Sequence, residues 1–207
     1  MLYMYESYKK ARDSSWEILL KADITSLPVD LNKVLKAVDV KAILYCDAFF
    51  DTDSPRLRGS DGFVTKIGDK NAIYLNENKG TIQRRRFTLA HELGHIVLDH
   101  PINPIIYRNS EVDENQSPTE IQANIFARDL LMPAGVLAKL HVTTVDEIIR
   151  ICNVSRISAQ IRLERLTELY KRNKFGSHPL ERQVISQFQE FISSKKTAHY
   201  RHSERFE

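Results

Sequence analysis

Cysteine is scarce in this chain, glycine is sparse, and no long apolar run interrupts it. Two cysteines in 207 residues, Cys46 and Cys152, sit in apolar surroundings without Cys-x-x-Cys spacing. Reduced core thiols are therefore expected, not a disulfide framework. The seven glycines form no phosphate-binding loop, and no internal repeat is present. No apolar run approaches the roughly 18–20 residues that span a bilayer. The N-terminus lacks a basic stretch followed by an apolar core and a small-residue cleavage site, so a cytoplasmic protein is expected. With 42% hydrophobic and 28% charged residues, the composition is that of an ordinary globular protein. The length allows one catalytic domain and a small helical annex.

What is present is Phe87-Thr88-Leu89-Ala90-His91-Glu92-Leu93-Gly94-His95-Ile96-Val97-Leu98. It places His-Glu-x-x-His on a stretch that reads as a buried helix. Residues four apart on a helix share a face, with Cβ atoms about 5–6 Å apart. Two imidazoles so placed both reach one metal ion, because Zn–N bonds are about 2.0–2.1 Å. Glu92, next to His91, can take a proton from a water beside that ion. This is the minimal machinery for hydrolysing a peptide bond. The plain alternative is a surface helix that carries two histidines by chance. The neighbours oppose it, since only Thr88, His91, Glu92 and His95 are strongly polar between Phe87 and Leu98. A helix apolar on all sides is a core helix. Burying two histidines and a glutamate there is costly unless they are paired or bind metal.

A catalytic zinc site takes three protein ligands and leaves a fourth position open. The extended pattern His-Glu-x-x-His-x-x-Gly-x-x-His fails here. Its glycine position is Leu98, its last histidine position is Pro101, and His100 is one residue out of register. A carboxylate on a later helix is the expected source of the third ligand. The stretch from Ser117 to Pro133 fits, with Ser117 as N-cap, Pro118 in the first turn and Pro133 at the end. Along it Glu120, Ala123, Asn124, Ala127 and Leu131 share a face. Small residues at 123 and 127, opposite Gly94, let two backbones approach and set the Glu120 carboxylate against the histidine pair. Asn124, one turn on, is positioned to hydrogen-bond a ligand histidine and fix its tautomer. Two alternatives stay open. Ser117-x-x-Glu120 is also a capping box, in which the glutamate merely bonds the Ser117 backbone. Glu111, Asp113 and Glu114 in the preceding loop are rival ligands.

Taken together, the two blocks resemble the ImmA/IrrE-type metallopeptidases. That family joins an Ala-His-Glu-Leu-Gly-His helix to a second helix reading Glu-x-x-Ala-Asn-x-Phe-Ala-x-x-Leu-Leu-Met-Pro. Here these are Ala90 through His95, then Glu120, Ala123, Asn124, Phe126, Ala127, Leu130, Leu131, Met132 and Pro133, without departure. The resemblance covers roughly Val40 to Leu169. It implies that His91, His95 and Glu120 ligate the metal and that Glu92 is the general base. It also implies a regulatory protein as substrate, typically a helix-turn-helix repressor encoded nearby, often on mobile elements or in stress responses.

The expected fold is α+β, a zincin-like core with a small sheet on the helix that carries His-Glu-x-x-His. A helical, helix-turn-helix-like annex follows. Residues 1–140 form the peptidase domain on this reading, 141–194 the annex, and 195–207 a mobile basic tail. Helices are expected from Tyr3 to Lys21 and from Pro28 to Val38, and a strand from Val40 to Tyr45. A polar loop spans Asp51 to Gly62. Phe63–Ile67 and Ala72–Leu75 flank Gly68-Asp69 as a hairpin, a sheet that is either plainly structural or holds substrate by strand addition. Arg84-Arg85-Arg86 opposes the dipole of the helix it precedes, and a solvated or salt-bridged face is expected. A last helix runs from Pro179 to Ser193.

In the annex, Thr144-x-x-Glu147 is a capping box and Ser155 caps a second helix. Arg156, Gln160, Arg162 and Arg165 on that helix are placed to face a DNA groove. Residues 150–207 carry 12 Lys+Arg against 6 Asp+Glu, while residues 1–149 carry 18 against 21. A basic annex on an acidic core is one mark of nucleic-acid binding. Glu164 and Glu168 interrupt the basic face, so a packing or substrate-docking module is the favoured reading and DNA binding the lesser one.

The expected activity is that of a metallo-endopeptidase using Zn2+, with Mn2+ or another divalent ion as the alternative. Tyr107 and His141 are candidates to stabilise the tetrahedral oxyanion. Two other classes are weighed beside it. One is a DNA-binding regulator; the other is a toxin- or antitoxin-type partner protein with a non-catalytic metal site.

Overall fold

A computed structural model describes residues 2–48, 59–101 and 117–203. The architecture is mixed α+β, with a three-stranded sheet beside helices. The chain opens with α1 (Leu2–Lys21) and α2 (Leu31–Ala37). The second helix begins three residues after Pro28, because the Asp30 side chain accepts the N–H groups of Asn32 and Lys33 and sets the start.

Three strands follow, β1 (Lys41–Leu44), β2 (Gly62–Ile67) and β3 (Lys70–Leu75). The sheet order is β1-β3-β2. The β2–β3 pair is the expected antiparallel hairpin, turning through Gly68 at φ 61°, a conformation that costs glycine little. β1 lies parallel to β3, with Ala42 opposite Ile73. Alternation along the strands sends Val64, Ile73 and Leu75 into the main core. Phe63, Ala72 and Tyr74 face the other way and pack with Tyr45 as a second cluster.

β1 is shorter than expected because Tyr45–Asp47 coils into a 3-10 turn. The N–H groups of Tyr45 and Cys46 donate to the Glu77 carboxylate at 3.0 and 3.1 Å. That turn buries Tyr45 and exposes Cys46, so only Cys152 is the core thiol expected for both cysteines. Burial pushes the Cys152 thiol up to about 12.

Helix α3 (Ile82–Val97) starts at Thr81, whose side chain accepts the Arg84 N–H. It packs between the sheet and α4 (Pro118–Leu131). Of the solvated or salt-bridged face expected for the three arginines at its start, Arg84 makes the salt bridge and the other two bind backbone carbonyls. Arg84 pairs with Asp61 at 2.8 Å, Arg85 donates to the Glu77 carbonyl at 3.0 Å, and Arg86 donates to the Val29 carbonyl at 2.8 Å. Each ties down a different segment around the helix entrance.

The remaining helices are α5 (Ala134–Lys139), α6 (Val145–Cys152), α7 (Arg156–Lys171), α8 (Pro179–Gln187) and α9 (Gln189–Ser203). The last two replace the single helix expected up to Ser193. The break falls at Phe188, which is fully buried and whose N–H bonds back to Val184. α1 packs on α4 and α8, and one cluster of buried apolar side chains runs from Ala11 to Ile192. Among the described residues, no helix is long and apolar enough to cross a membrane.

In the α6–α7 hairpin, Asn153 makes the turn at φ 53° and Ser155 caps α7. The basic residues are mostly engaged. Arg162 is 1% exposed and donates to Asp129 of α4 at 2.8 Å. Arg165 lies over the Tyr8 ring at 5.2 Å, and Arg156 pairs with Asp146 at 2.7 Å. The groove-facing row expected from spacing is therefore broken at Arg162 by burial.

Candidate metal centre

His91 and His95 fall one turn apart on the inner face of α3, exposed by only 1% and 7%. Their Nε2 atoms lie 3.1 Å apart. α4 crosses beside them closely because Gly94 has no side chain. A Cβ there would meet Ala123 Cα at 3.2 Å and Phe126 Cδ1 at 3.1 Å. Ala123 is thus the close-approach residue expected from the sequence, and Phe126 takes the second place expected of Ala127.

That approach delivers Glu120. Its Oε2 is 3.1 Å from His91 Nε2 and its Oε1 is 3.3 Å from His95 Nε2. The ligand atoms of His91, His95 and Glu120 all lie within 4.8 Å of one another. The capping-box alternative for Glu120 is half realised. Ser117 Oγ accepts the Glu120 N–H at 3.3 Å, while the carboxylate turns to the histidines. Glu147 shows the full box by contrast, its carboxylate accepting the Thr144 N–H at 3.0 Å.

The outer nitrogens of both histidines are also engaged. His91 Nδ1 lies 2.8 Å from Asn124 Oδ1, as expected for Asn124. An amide oxygen only accepts, so His91 carries a proton on Nδ1 and, in its neutral form, presents a bare Nε2 to the cluster. His95 Nδ1 lies 3.1 Å from His100 Nδ1, and His100 Nε2 lies 2.6 Å from Gln122 Oε1. His100 and Gln122 are residues that sequence reasoning missed. The available signal was a histidine five residues past a ligand histidine, preceded by an aspartate able to adopt a left-handed turn.

The electrostatics follow from this crowding. Burial alone would lower His91, but Glu120, Glu92 and Asn124 together raise it above the ordinary imidazole value. Burial would raise the Glu120 carboxyl, but His91 and His95 outweigh it and hold it at about 2. Burial pushes His100 down, which favours its neutral form. Glu92 is 1% exposed. Its charge also acts on the buried Tyr45 hydroxyl, which burial first, and then Glu92, Asp61 and Glu77, push up against an opposing Ser60 contact.

Two imidazole nitrogens and a carboxylate that converge without a shared hydroxyl or amide donor call for a cation. Glu120 Oε1 accepts no hydrogen bond there. The donor set fits zinc, which takes His nitrogen and carboxylate oxygen and, in catalytic sites, three protein ligands. Tyr107 and the rival ligands Glu111, Asp113 and Glu114 lie outside the described residues. His141 is exposed in the left-handed turn after α5, at φ 57°. Among the described residues it makes no hydrogen bond or ion pair with the cluster.

Residues 49–166 match the family model of the M78 peptidases, described as the IrrE N-terminal-like domain. The chain belongs to the M78 peptidase family. The matched stretch runs from before β2 through most of α7, so it takes in both helices of the cluster. Among curated proteins none matches the chain significantly. The M78 assignment and the His91–His95–Glu120 group agree: this is a metallopeptidase-family domain with an HExxH-type metal-binding group.

Proposed function

We propose that this M78 chain is a zinc-dependent endopeptidase of the cytoplasm, with Glu92 as its general base. The observation that carries the reading is the convergence of His91 Nε2, His95 Nε2 and the Glu120 carboxylate within 4.8 Å. His91, His95 and Glu120 would hold the ion. A divalent cation bound there would supply Lewis-acid polarisation of the scissile carbonyl and would acidify a water. Glu92, buried one residue from a ligand, takes the water proton and returns it to the leaving amine. Asn124 keeps the His91 proton on Nδ1, away from the ion.

The proposed substrate is a regulatory protein supplied in trans, a helix-turn-helix repressor by the family resemblance. The annex is proposed to pack or to dock substrate. Arg162 held inside by Asp129, and Arg156 paired with Asp146, support that over DNA reading. The test is Glu92→Gln assayed with a helix-turn-helix regulator encoded beside the protein. Retained zinc with cleavage lost upholds the reading; cleavage at the wild-type rate sinks it.

A further inference from the structure

α3 ends in a turn that folds the chain back onto its own last ligand. Asp99 is left-handed at φ 56°. Its N–H bonds the Ile96 carbonyl at 3.1 Å, and the His100 N–H bonds the His95 carbonyl at 2.9 Å. This pair of bonds is the Schellman motif, in which the residue after the left-handed one commonly contacts the residue five before it through apolar groups. Here both positions are histidines. The turn brings the His100 ring to 5.0 Å from the His95 ring, nearly perpendicular at 74°, with His100 only 7% exposed.

With His95 and His100 both neutral, the form in which an imidazole binds metal, the hydrogen bonds leave one consistent arrangement of protons. Gln122 Oε1 can only accept, so His100 Nε2 must donate across the 2.6 Å contact. A neutral imidazole has one donor nitrogen, so His100 Nδ1 is left as an acceptor. His95 Nδ1, 3.1 Å away, must donate to it. His95 Nε2 is then bare, and it is the atom that faces His91 and Glu120. α4 thereby supplies a ligand, Glu120, and the ends of both histidine contacts, Asn124 for His91 and Gln122 for His95.

We infer that His100 is a positioning residue for His95: with Gln122 behind it, it holds the His95 proton on Nδ1 and turns Nε2 to the metal. The inference rests on the proposed metal reading, and it extends the tautomer control proposed for Asn124 to the second histidine through an imidazole relay. Partners of this kind typically contribute about 10–100-fold in metal affinity.

The test reads zinc affinity and histidine tautomer, not turnover. Zinc affinity is measured by chelator competition for wild type, His100→Phe, His100→Asn and Gln122→Leu. Nitrogen chemical shifts of His95 are recorded in the metal-free proteins at about pH 8.5, above the ordinary imidazole range. The expected results are an Nδ1-protonated His95 in wild type, and a loss of about 10–100-fold in affinity for His100→Phe. His100→Asn, whose carbonyl still accepts, recovers most of that loss, and Gln122→Leu falls between. An Nε2-protonated His95 in wild type overturns the relay, as does wild-type affinity in folded His100→Phe. If wild type takes up no zinc, the metal reading fails separately, and the metal-free spectra alone uphold or overturn the relay.

Discussion

Ser117 accepts the backbone N–H of Glu120, yet the Glu120 carboxylate does not return the bond; it lies 3.1 Å from His91 Nε2 instead. One residue therefore serves helix α4 with its backbone and the metal group with its side chain. The two duties separate by mutation. Ser117→Ala loses the cap alone and is expected to lower stability by about 1 kcal/mol while zinc content stays at the wild-type level. Chemical denaturation with metal analysis on the same sample checks both.

Gly94 sets the distance between α3 and α4. Gly94→Ala puts a methyl 3.1 Å from Phe126 Cδ1 and 3.2 Å from Ala123 Cα, one of them backbone that cannot swing aside. Overpacking of this kind costs about 1–3 kcal/mol. The expected variant melts lower and binds zinc more weakly, because widening the gap withdraws Glu120. A variant that melts lower with unchanged zinc affinity would separate packing from ligand placement.

The titration of the cluster gives a pH prediction with a definite sign. His91 is raised above its ordinary 6.5 in the metal-free fold by Glu120, Glu92 and Asn124, against the lowering effect of burial. A raised imidazole stabilises that fold fully below about 6.5 and loses the contribution as pH climbs through the folded value. Glu120, depressed from 4.5 to about 2, stabilises above about 4.5 and loses its contribution only as pH falls toward 2. The melting temperature of the metal-free protein should therefore decline as pH rises beyond 6.5. Zinc competes with the His91 proton, so zinc affinity should fall on acidification through the histidine range, before Glu120 protonates. Chelator competition across that range checks it.

Arg162 and Asp129 form an ion pair in which both side chains are nearly fully buried. Removing one partner leaves the other charge stranded, at a cost of about 3–5 kcal/mol. Arg162→Ala is expected to destabilise by that amount in denaturant titration. Exchanging exposed Gln160 for Ala should be nearly neutral. Equal, small effects would mean that Arg162 is not held inside.

The central residues were legible because their logic is local. His91, Glu92 and His95 follow from helix periodicity and an apolar surround, and the Gly68 hairpin from turn chemistry. Glu120 needed more, since Ser117 offered it a rival duty and Glu111, Asp113 and Glu114 a rival location. The family pattern and the close approach at Gly94 point to it. His100 was visible only as the last histidine of the extended His-Glu-x-x-His-x-x-Gly-x-x-His pattern, one residue out of register. Its contact with His95 depends on a left-handed Asp99, which spacing does not reveal. Arg84, Arg86 and Arg162 looked like surface charge because their partners lie far along the chain. Asp129, for instance, is 33 residues from Arg162.

The measurement that tests the account most directly is metal content by elemental analysis, on wild type and Glu120→Ala side by side. About one zinc per wild-type chain, lost from a folded Glu120→Ala, is the predicted result. Wild type that stays metal-free after reconstitution, or Glu120→Ala that binds zinc as tightly as wild type, would contradict it.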